Sequence, residues 1–328
     1  MSFRGRKVLV TGAGGFIGSH LAERLVSEGA LVRALVHYNG AGRWGWLDES
    51  EAAAEMDVVM GDIADPESVM SVAAGCDVIF HLAALIAIPY SYHAPRSYVR
   101  TNVEGTLNVL EAARRHGVER VVNTSTSETY GTALPVPIDE DHPMQGQSPY
   151  SASKIGADMI ADSYYRSFAV PVVTARPFNT FGPRQSARAV IPTIMSQLLY
   201  GRTQIRLGAL HPTRDLNFVS NTVEGFLAAG SHPDAEGKTF NFGSGREISV
   251  LDLAELIAKL AGKEIEIVSE ESRQRPPASE VERLLADSTR ARTILGWEPK
   301  VSLEEGLERT LAWVERHLER YRPEVYTI

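Results

Sequence analysis

The sequence has a single cysteine, Cys76, in 328 residues, so no internal disulfide can form. Its setting, Ala73-Ala74-Gly75-Cys76-Asp77-Val78-Ile79-Phe80, reads as packing at a strand entrance, and a reducing cytoplasm is the expected compartment. No apolar run approaches the roughly 18 residues that a membrane span needs, and Met1 to Lys7 lead straight into a strand, so neither secretion nor insertion is expected. The formal charge of −8 comes without a basic tract, which removes the electrostatic footprint of a nucleic-acid binder. Phosphates on any ligand must therefore be met by local groups. No repeat, low-complexity tract or metal-ligand cluster is present, and no metal is expected. What remains, 44% hydrophobic and 23% charged residues, is the composition of an ordinary globular chain.

The apolar pattern alternates between strand and helix. Lys7 to Thr11 is a short apolar strand, and Phe16 to Ser27 has helical spacing at Ile17, Leu21, Leu25 and Val26 before Leu31 to Val36 turns apolar again. Val58-Val59-Met60, a helix near Pro66 to Ala74, Val78-Ile79-Phe80 and a helix from Pro95 to His116 continue the series. Strands at Val121 to Asn123 and Val172 to Ala175 flank a helix over Ser151 to Phe168. Such alternation predicts an α/β fold, a doubly wound parallel sheet of Rossmann type with right-handed crossovers. Past residue 180 the pattern loosens around Gly182-Pro183-Arg184 and Arg273-Gln274-Arg275-Pro276-Pro277. The expected organisation is a dinucleotide-binding domain over 1–180, to which about 212–245 returns, and a smaller mixed α/β lobe over 181–328. A last helix, Leu303 to Tyr321, carries an apolar stripe at Leu307, Leu311, Val314 and Leu318.

Gly12, Gly15 and Gly18, with Phe16 and Ile17 among them, stand between a strand and a helix. In that context the turn needs backbone freedom, a pyrophosphate needs close approach, and the helix start offers unpaired N–H groups. Asp62 and Ile63 follow the third strand and are candidates to meet an adenine amino group, with turn capping as the alternative for Asp62; His81, Leu82, Ala83 and Ala84 line the next strand's carboxyl end. The place where a carboxylate would bind a ribose 2′-hydroxyl holds His37-Tyr38-Asn39, and Arg43 is near enough in sequence to meet a 2′-phosphate. NAD and NADP both stay open. Trp44, Trp46 and the Tyr164-Tyr165 pair read as packing.

Tyr150 and Lys154 lie four apart on one helix, so both face the same way and the ammonium is expected to lower the phenol's pKa. A tyrosinate there takes a proton from a hydroxyl while hydride leaves the same carbon, with Thr126 at a strand end sharing the hydrogen bond. Glu128 adds a carboxylate beside Thr126, and this second base separates elimination from plain dehydrogenation.

These segments, with Arg176-Pro177-x-Asn179, Arg214-Asp215, Asn241-x-Gly243 and Arg275-Pro276, make the chain resemble, over nearly its whole length, the nucleotide-sugar epimerases and dehydratases of the extended short-chain dehydrogenase/reductase superfamily. Thr126-Ser127-Glu128 looks like the 4,6-dehydratase triad in its Thr-Ser-Glu form. Leu35 to Asn39, Thr124 to Gly131 and Arg176 to Arg188 are similar to the N-acetylglucosamine-nucleotide 4,6-dehydratases of legionaminic acid synthesis. The resemblance implies a UDP- or GDP-linked 2-acetamido hexose, oxidised at C4 through Tyr150, deprotonated at C5 by Glu128, dehydrated across C5–C6 with help from Glu128 or Ser127, and reduced at C6. It also implies a tightly bound cofactor regenerated at each turnover. By resemblance Asn179 contacts the sugar diphosphate, Arg214 and Arg275 neutralise its phosphates, Arg184 and Arg188 are further candidates, and Glu280 is a candidate for the nucleoside ribose. UDP-glucuronate decarboxylase, in which Thr180, Arg184 or Arg188 would meet a carboxylate, and nucleotide-sugar 4-epimerase are the rival activities. A non-catalytic dinucleotide sensor is the rival of a different class. The helices Pro95 to His116 and Ser151 to Phe168 are expected to pair in a homodimer as a four-helix bundle.

Overall fold

The computed structural model describes residues 2–322. Seven strands build one parallel sheet: β1 (Lys7–Thr11), β2 (Leu31–His37), β3 (Asp57–Gly61), β4 (Val78–His81), β5 (Arg120–Thr124), β6 (Val172–Pro177) and, much later, a strand at Thr239–Phe242. The spatial order runs β3-β2-β1-β4-β5-β6 with Thr239–Phe242 outside β6, the doubly wound Rossmann arrangement expected from the sequence. Period-two alternation sends neighbouring residues to opposite faces. Val8 and Val10 of β1 pack with α1 (Phe16–Ser27) on one side, whereas Leu9 packs with α2 (Pro66–Ala73) on the other. Both faces are thus apolar and both are covered, and Cys76 is buried in the second layer.

After β4 come two short helices, α3 (Ile88–His93) and α4 (Pro95–Tyr98). The chain then widens into a π-helical turn at Val99–Glu104 before α5 (Gly105–His116). The sequence predicts one regular helix here. The wide turn is instead where Asn102 is buried, its amide donating to the Leu85 carbonyl and Ser153 hydroxyl at 2.9 Å and accepting from the Leu85 N–H. Such turns recur at functional sites. α6 (Pro149–Phe168) begins with a capping box between Ser148 and Ser151 and with proline in its first turn, so the start of the helix that carries Tyr150 is fixed by local chemistry.

The remainder adds β7 (Asn179–Phe181), α7 (Val190–Leu199), β8 (Gln204–Leu207), β9 (Thr213–Phe218), α8 (Val219–Ser231), β10 (Thr239–Phe242), β11 (Glu247–Ser249), α9 (Val250–Leu260), β12 (Glu266–Ser269), β13 (Arg283–Leu284), α10 (Thr289–Leu295) and α11 (Leu303–Arg316). Within the 212–245 stretch, β10 pairs with β6 and α8 packs on the β1 side of the large sheet. β9 does not join them. It lies between β11 and β13 and also pairs with β7, in a small separate sheet.

The last helix ends at Arg316 rather than Tyr321, and the segment after it folds back on the loop following β2. Trp313 packs edge-on against Trp46 with centroids 5.4 Å apart, Arg320 stacks on Trp46 and pairs with Glu49, and the Tyr321 hydroxyl donates to the Gln185 carbonyl. Among the described residues no helix is long and apolar enough to cross a membrane.

Candidate active site

The glycine turn is shaped by close approach. Thr11 closes β1, and its hydroxyl oxygen accepts from the N–H groups of Leu82 and Ala83, both at 3.1 Å, which ties the ends of β1 and β4 together. Gly12 has φ +70°, and a Cβ there would lie 2.8 Å from the Ala83 nitrogen. A Cβ on Gly14 would strike the Trp44 carbonyl, and one on Gly18 the Gly12 carbonyl. Gly15 is the N-cap of α1 and supplies no side-chain cap, and the first turn carries no acid. The leading N–H groups and the positive end of a twelve-residue helix therefore stand beside a turn that admits backbone and no side chain, the arrangement that fits a diphosphate. Phe16 and Ile17 pack their side chains on the core.

After β3 Asp62 accepts the Ala64 N–H at 2.9 Å, so one of its oxygens caps the turn, and Ile63 is buried against Gly105 of α5. His37 is exposed at the end of β2. Asn39 bonds both the N–H and the carbonyl of Arg43, closing the loop, while the largely exposed Arg43 guanidinium lies 3.5 Å from Asp48. Leu82 and Ala83 present backbone already committed to Thr11, and Ala84 follows them toward Leu85.

Thr126 is the N-cap of a short helical turn over Ser127–Tyr130, its hydroxyl oxygen receiving the Glu128 N–H at 3.3 Å. Tyr150 is buried beside it. Burial drives the phenol well above its usual range; the hydrogen bond with Thr126 opposes that rise and the Glu128 charge adds to it. Lys154 was expected to do the lowering. Its ammonium instead donates to the Thr124 carbonyl at 2.6 Å, and its own pKa is lowered by burial, with Asp158 opposing. The Glu128 carboxylate is also buried, and its field acts on both Tyr150 and Arg214.

Beneath these groups lies a polar network that motif spacing left unassigned. Arg176, only 1% exposed, donates to Ser125 at 3.1 Å, to the Tyr130 hydroxyl at 2.7 Å and to Asp158 at 2.8 Å. Asp158 also accepts from Asn123 and Ser125, and the Tyr130 hydroxyl donates to Oδ1 of Asn241. The signal for Asp158 was present: it repeats the Tyr150-Lys154 spacing once more along the same face of α6. His81 bridges Thr11 and Thr106 through its two ring nitrogens. The Thr106 proton goes to the Asn102 carbonyl, so Nε2 of His81 carries the hydrogen and Nδ1 accepts from Thr11.

The other wall carries the arginines. Asn179 of β7 stands opposite Leu216 of β9, and Arg214, two residues earlier on that strand, shares Leu216's face. Arg214 reaches Glu280 at 3.1 Å and Arg275 lies 3.6 Å from the same carboxylate. Two cations thus share one acid, and buried Nη1 of Arg275 and Oδ1 of Asn179 have no hydrogen-bond partner, which suits an anionic ligand with hydroxyl groups. Glu280 is engaged by these arginines. Arg184, with φ +71°, turns instead to α1, where it binds Ser19 and Glu23, and so is not brought to Arg214 and Arg275. Arg188 donates to Ser186, and its charge acts on Tyr98, whose ring packs edge-on to Tyr150 at 6.2 Å.

A doubly wound sheet, a glycine-only turn before an uncapped helix, and a tyrosine and lysine one turn apart beside a threonine define a short-chain dehydrogenase/reductase. The chain belongs to the GDP-mannose 4,6 dehydratase family, whose model matches residues 9–310. It is 37% identical over 311 residues to a UDP-glucose 4-epimerase of Mycolicibacterium smegmatis, covering 93% of this chain and 97% of that one. A dTDP-glucose 4,6-dehydratase of Streptomyces griseus is 34% identical, with 96% of each chain covered. The solved structure of the dTDP-glucose 4,6-dehydratase DesIV from Streptomyces venezuelae, with NAD and TYD bound, superposes with a TM-score of 0.86 at 29% identity, covering 97% of this chain and 99% of that one. Epimerases and dehydratases both stand among the relatives, so the choice falls to the site.

Proposed function

We propose that this protein is a nucleotide-sugar 4,6-dehydratase that converts a UDP- or GDP-linked N-acetylglucosamine-type sugar to its 4-keto-6-deoxy form, as legionaminic acid synthesis requires. The observation that carries this reading is Glu128: a buried carboxylate whose field reaches both the Tyr150 phenol and the Arg214 guanidinium. An epimerase needs no second base between its tyrosine and the groups that hold the substrate. The decarboxylase reading is weakened because two of its carboxylate partners are committed elsewhere: Thr180 to Thr222, and Arg184 to Glu23. A non-catalytic sensor would have no use for a buried Tyr150 and Lys154 beside the half-buried Thr126.

The glycine turn and the free start of α1 fit the diphosphate of NAD or NADP, which supplies a hydride acceptor that becomes the donor later in the same turnover. Arg214, Arg275 and Asn179 hold the sugar diphosphate. With the oxidised dinucleotide bound, its positive nicotinamide ring would offset the burial that raises the phenol, and Tyr150 as the phenolate, with Thr126 sharing its hydrogen bond, would receive the proton of the C4 hydroxyl as that carbon becomes a ketone. The ketone acidifies C5–H, and Glu128 takes that proton. Glu128 or Ser127 then protonates the departing C6 hydroxyl, and a proton returns to C5 when C6 is reduced.

The test is incubation with UDP- and GDP-N-acetylglucosamine, followed by the base-induced absorbance of a 4-keto product. Glu128→Gln should still oxidise C4 yet slow exchange of the C5 hydrogen with deuterated solvent by about 10²–10⁴-fold. Undiminished exchange, or carbon dioxide released from UDP-glucuronate, would overturn the assignment. α5 and α6 leave Leu107 and Met159 exposed, and we propose that these helices pair across a two-fold axis in a homodimer.

A further inference from the structure

Tyr150 and Lys154 have a third member on their face of α6. Asp158 lies one further turn along, and all three side chains are buried. Lys154 and Asp158 engage consecutive residues of β5: the ammonium donates to the Thr124 carbonyl at 2.6 Å, while the carboxylate accepts from the side chains of Asn123 and Ser125 on either side of it. Alternation along the strand sends those two side chains the same way, so the carboxylate is held to β5 beside the ammonium. Groups four apart on a helix have Cβ atoms about 5–6 Å apart, close enough for charge to act without a hydrogen bond.

A buried ammonium that meets a neutral carbonyl rather than an acid gives up its proton easily, because burial favours the uncharged amine. The surrounding groups decide whether it does. Tyr150 shares its helix face; His81 of β4 is kept neutral above about 3 by burial, reinforced by the Lys154 charge; Glu128, on the turn after β5, acts on Tyr150. The charge that supports the ammonium is that of Asp158. Arg176 of β6 fixes this carboxylate at 2.8 Å and is itself held by Ser125, by the Tyr130 hydroxyl and over the Tyr130 ring.

We infer that Asp158 is a positioning residue of the proton-transfer pair: it keeps Lys154 an ammonium, so that a positive charge stands one helical turn from the Tyr150 phenolate, while Arg176 fixes the carboxylate's place. The inference rests on the reading of Tyr150 as the group that receives the C4 proton, and deepens it by naming the acid behind the pair. The experiment is NMR titration of the protein loaded with oxidised dinucleotide and carrying lysine labelled with carbon-13 at Cε, the Lys154 signal being identified by its loss in Lys154→Arg. Asp158→Asn should lower the Lys154 titration midpoint by about one pH unit or more, an approximately tenfold loss of proton affinity, and Asp158→Glu should restore most of it. The direction separates charge from scaffolding. Were Asp158 merely structural, its loss would admit water to the ammonium and raise the midpoint. The parent alone also decides: Lys154 should be charged at about pH 8, and a neutral amine there overturns the inference even if Asp158→Asn does not fold. Formation of the 4-keto product should lose its alkaline limb at correspondingly lower pH in Asp158→Asn. No product from the parent, with the midpoint shift present, would refute the dehydratase and leave the role of Asp158 intact; an unmoved or raised midpoint would overturn that role and leave the dehydratase standing.

Discussion

Removing either partner of the buried pair Asp158–Arg176 should destabilise the fold about as much as removing both. Their side chains are 3% and 1% exposed, and the guanidinium makes three hydrogen bonds, one to the carboxylate and two to hydroxyls. In Asp158→Asn the guanidinium stays buried with its charge uncompensated; in Arg176→Met the carboxylate keeps only the hydrogen bonds of Asn123 and Ser125 and the field of Lys154. Breaking one side of such a pair costs about 3–5 kcal/mol. At about 2 °C per kcal/mol for a chain of this size, each single variant should melt roughly 6–10 °C below the parent. The double variant buries neither charge and should cost no more than the worse single one, a coupling of about 3 kcal/mol or more. Thermal denaturation of the four proteins in one buffer is the assay. Single losses below about 1 kcal/mol, or strictly additive ones, would refute the view that these two charges compensate each other.

Gly18→Ala would drive a methyl into the Gly12 carbonyl, costing about 1–3 kcal/mol and weakening dinucleotide binding; a fluorescence titration with NADH matching the parent would count against the turn's role. Burial, reinforced by the Lys154 charge, pushes the His81 imidazole from 6.5 down to about 3. Because the unfolded ring protonates first, its contribution is complete above pH 6.5 and is lost on acidification toward pH 3, at about 1.4 kcal/mol per unit. His81→Gln should flatten the stability profile across that window, and an unchanged slope in urea unfolding would exclude His81 as its source. Arg275→Met should raise KM for the nucleotide sugar about 10- to 100-fold with little change in kcat; an equal fall in kcat would place the residue in the chemical step instead.

The first half of the fold was legible because its signals are local. Apolar runs of strand length alternate with helical spacing, and the glycines and the Ser148 cap mark where helices start. Tyr150 and Lys154 share a helix face for the same reason, and the sequence could place them together without knowing the rest. What it could not carry were partnerships set by distant contacts. β9 reads as one more strand of the large sheet until its partners β7, β11 and β13 are known, and each of those spans two to three residues. Arg184 looks like a phosphate ligand beside Arg188, yet its partner Glu23 lies 161 residues earlier on α1. The spacing of Lys154 from Tyr150 reports which face the side chain takes, not that its ammonium meets the Thr124 carbonyl. The π turn at Asn102 was likewise invisible, since the apolar pattern of Pro95 to His116 is that of an unbroken helix.

Trp313 and Arg320 clasp the loop that carries Trp46 and Glu49, and that loop in turn rests on Gly14, since the Trp46 N–H donates to its carbonyl at 3.0 Å. The tail of the polypeptide is thereby a buttress for the first ligand-binding bend at its head. Proteolytic trimming that removes Arg320 would be felt nearly three hundred positions upstream as looser coenzyme retention.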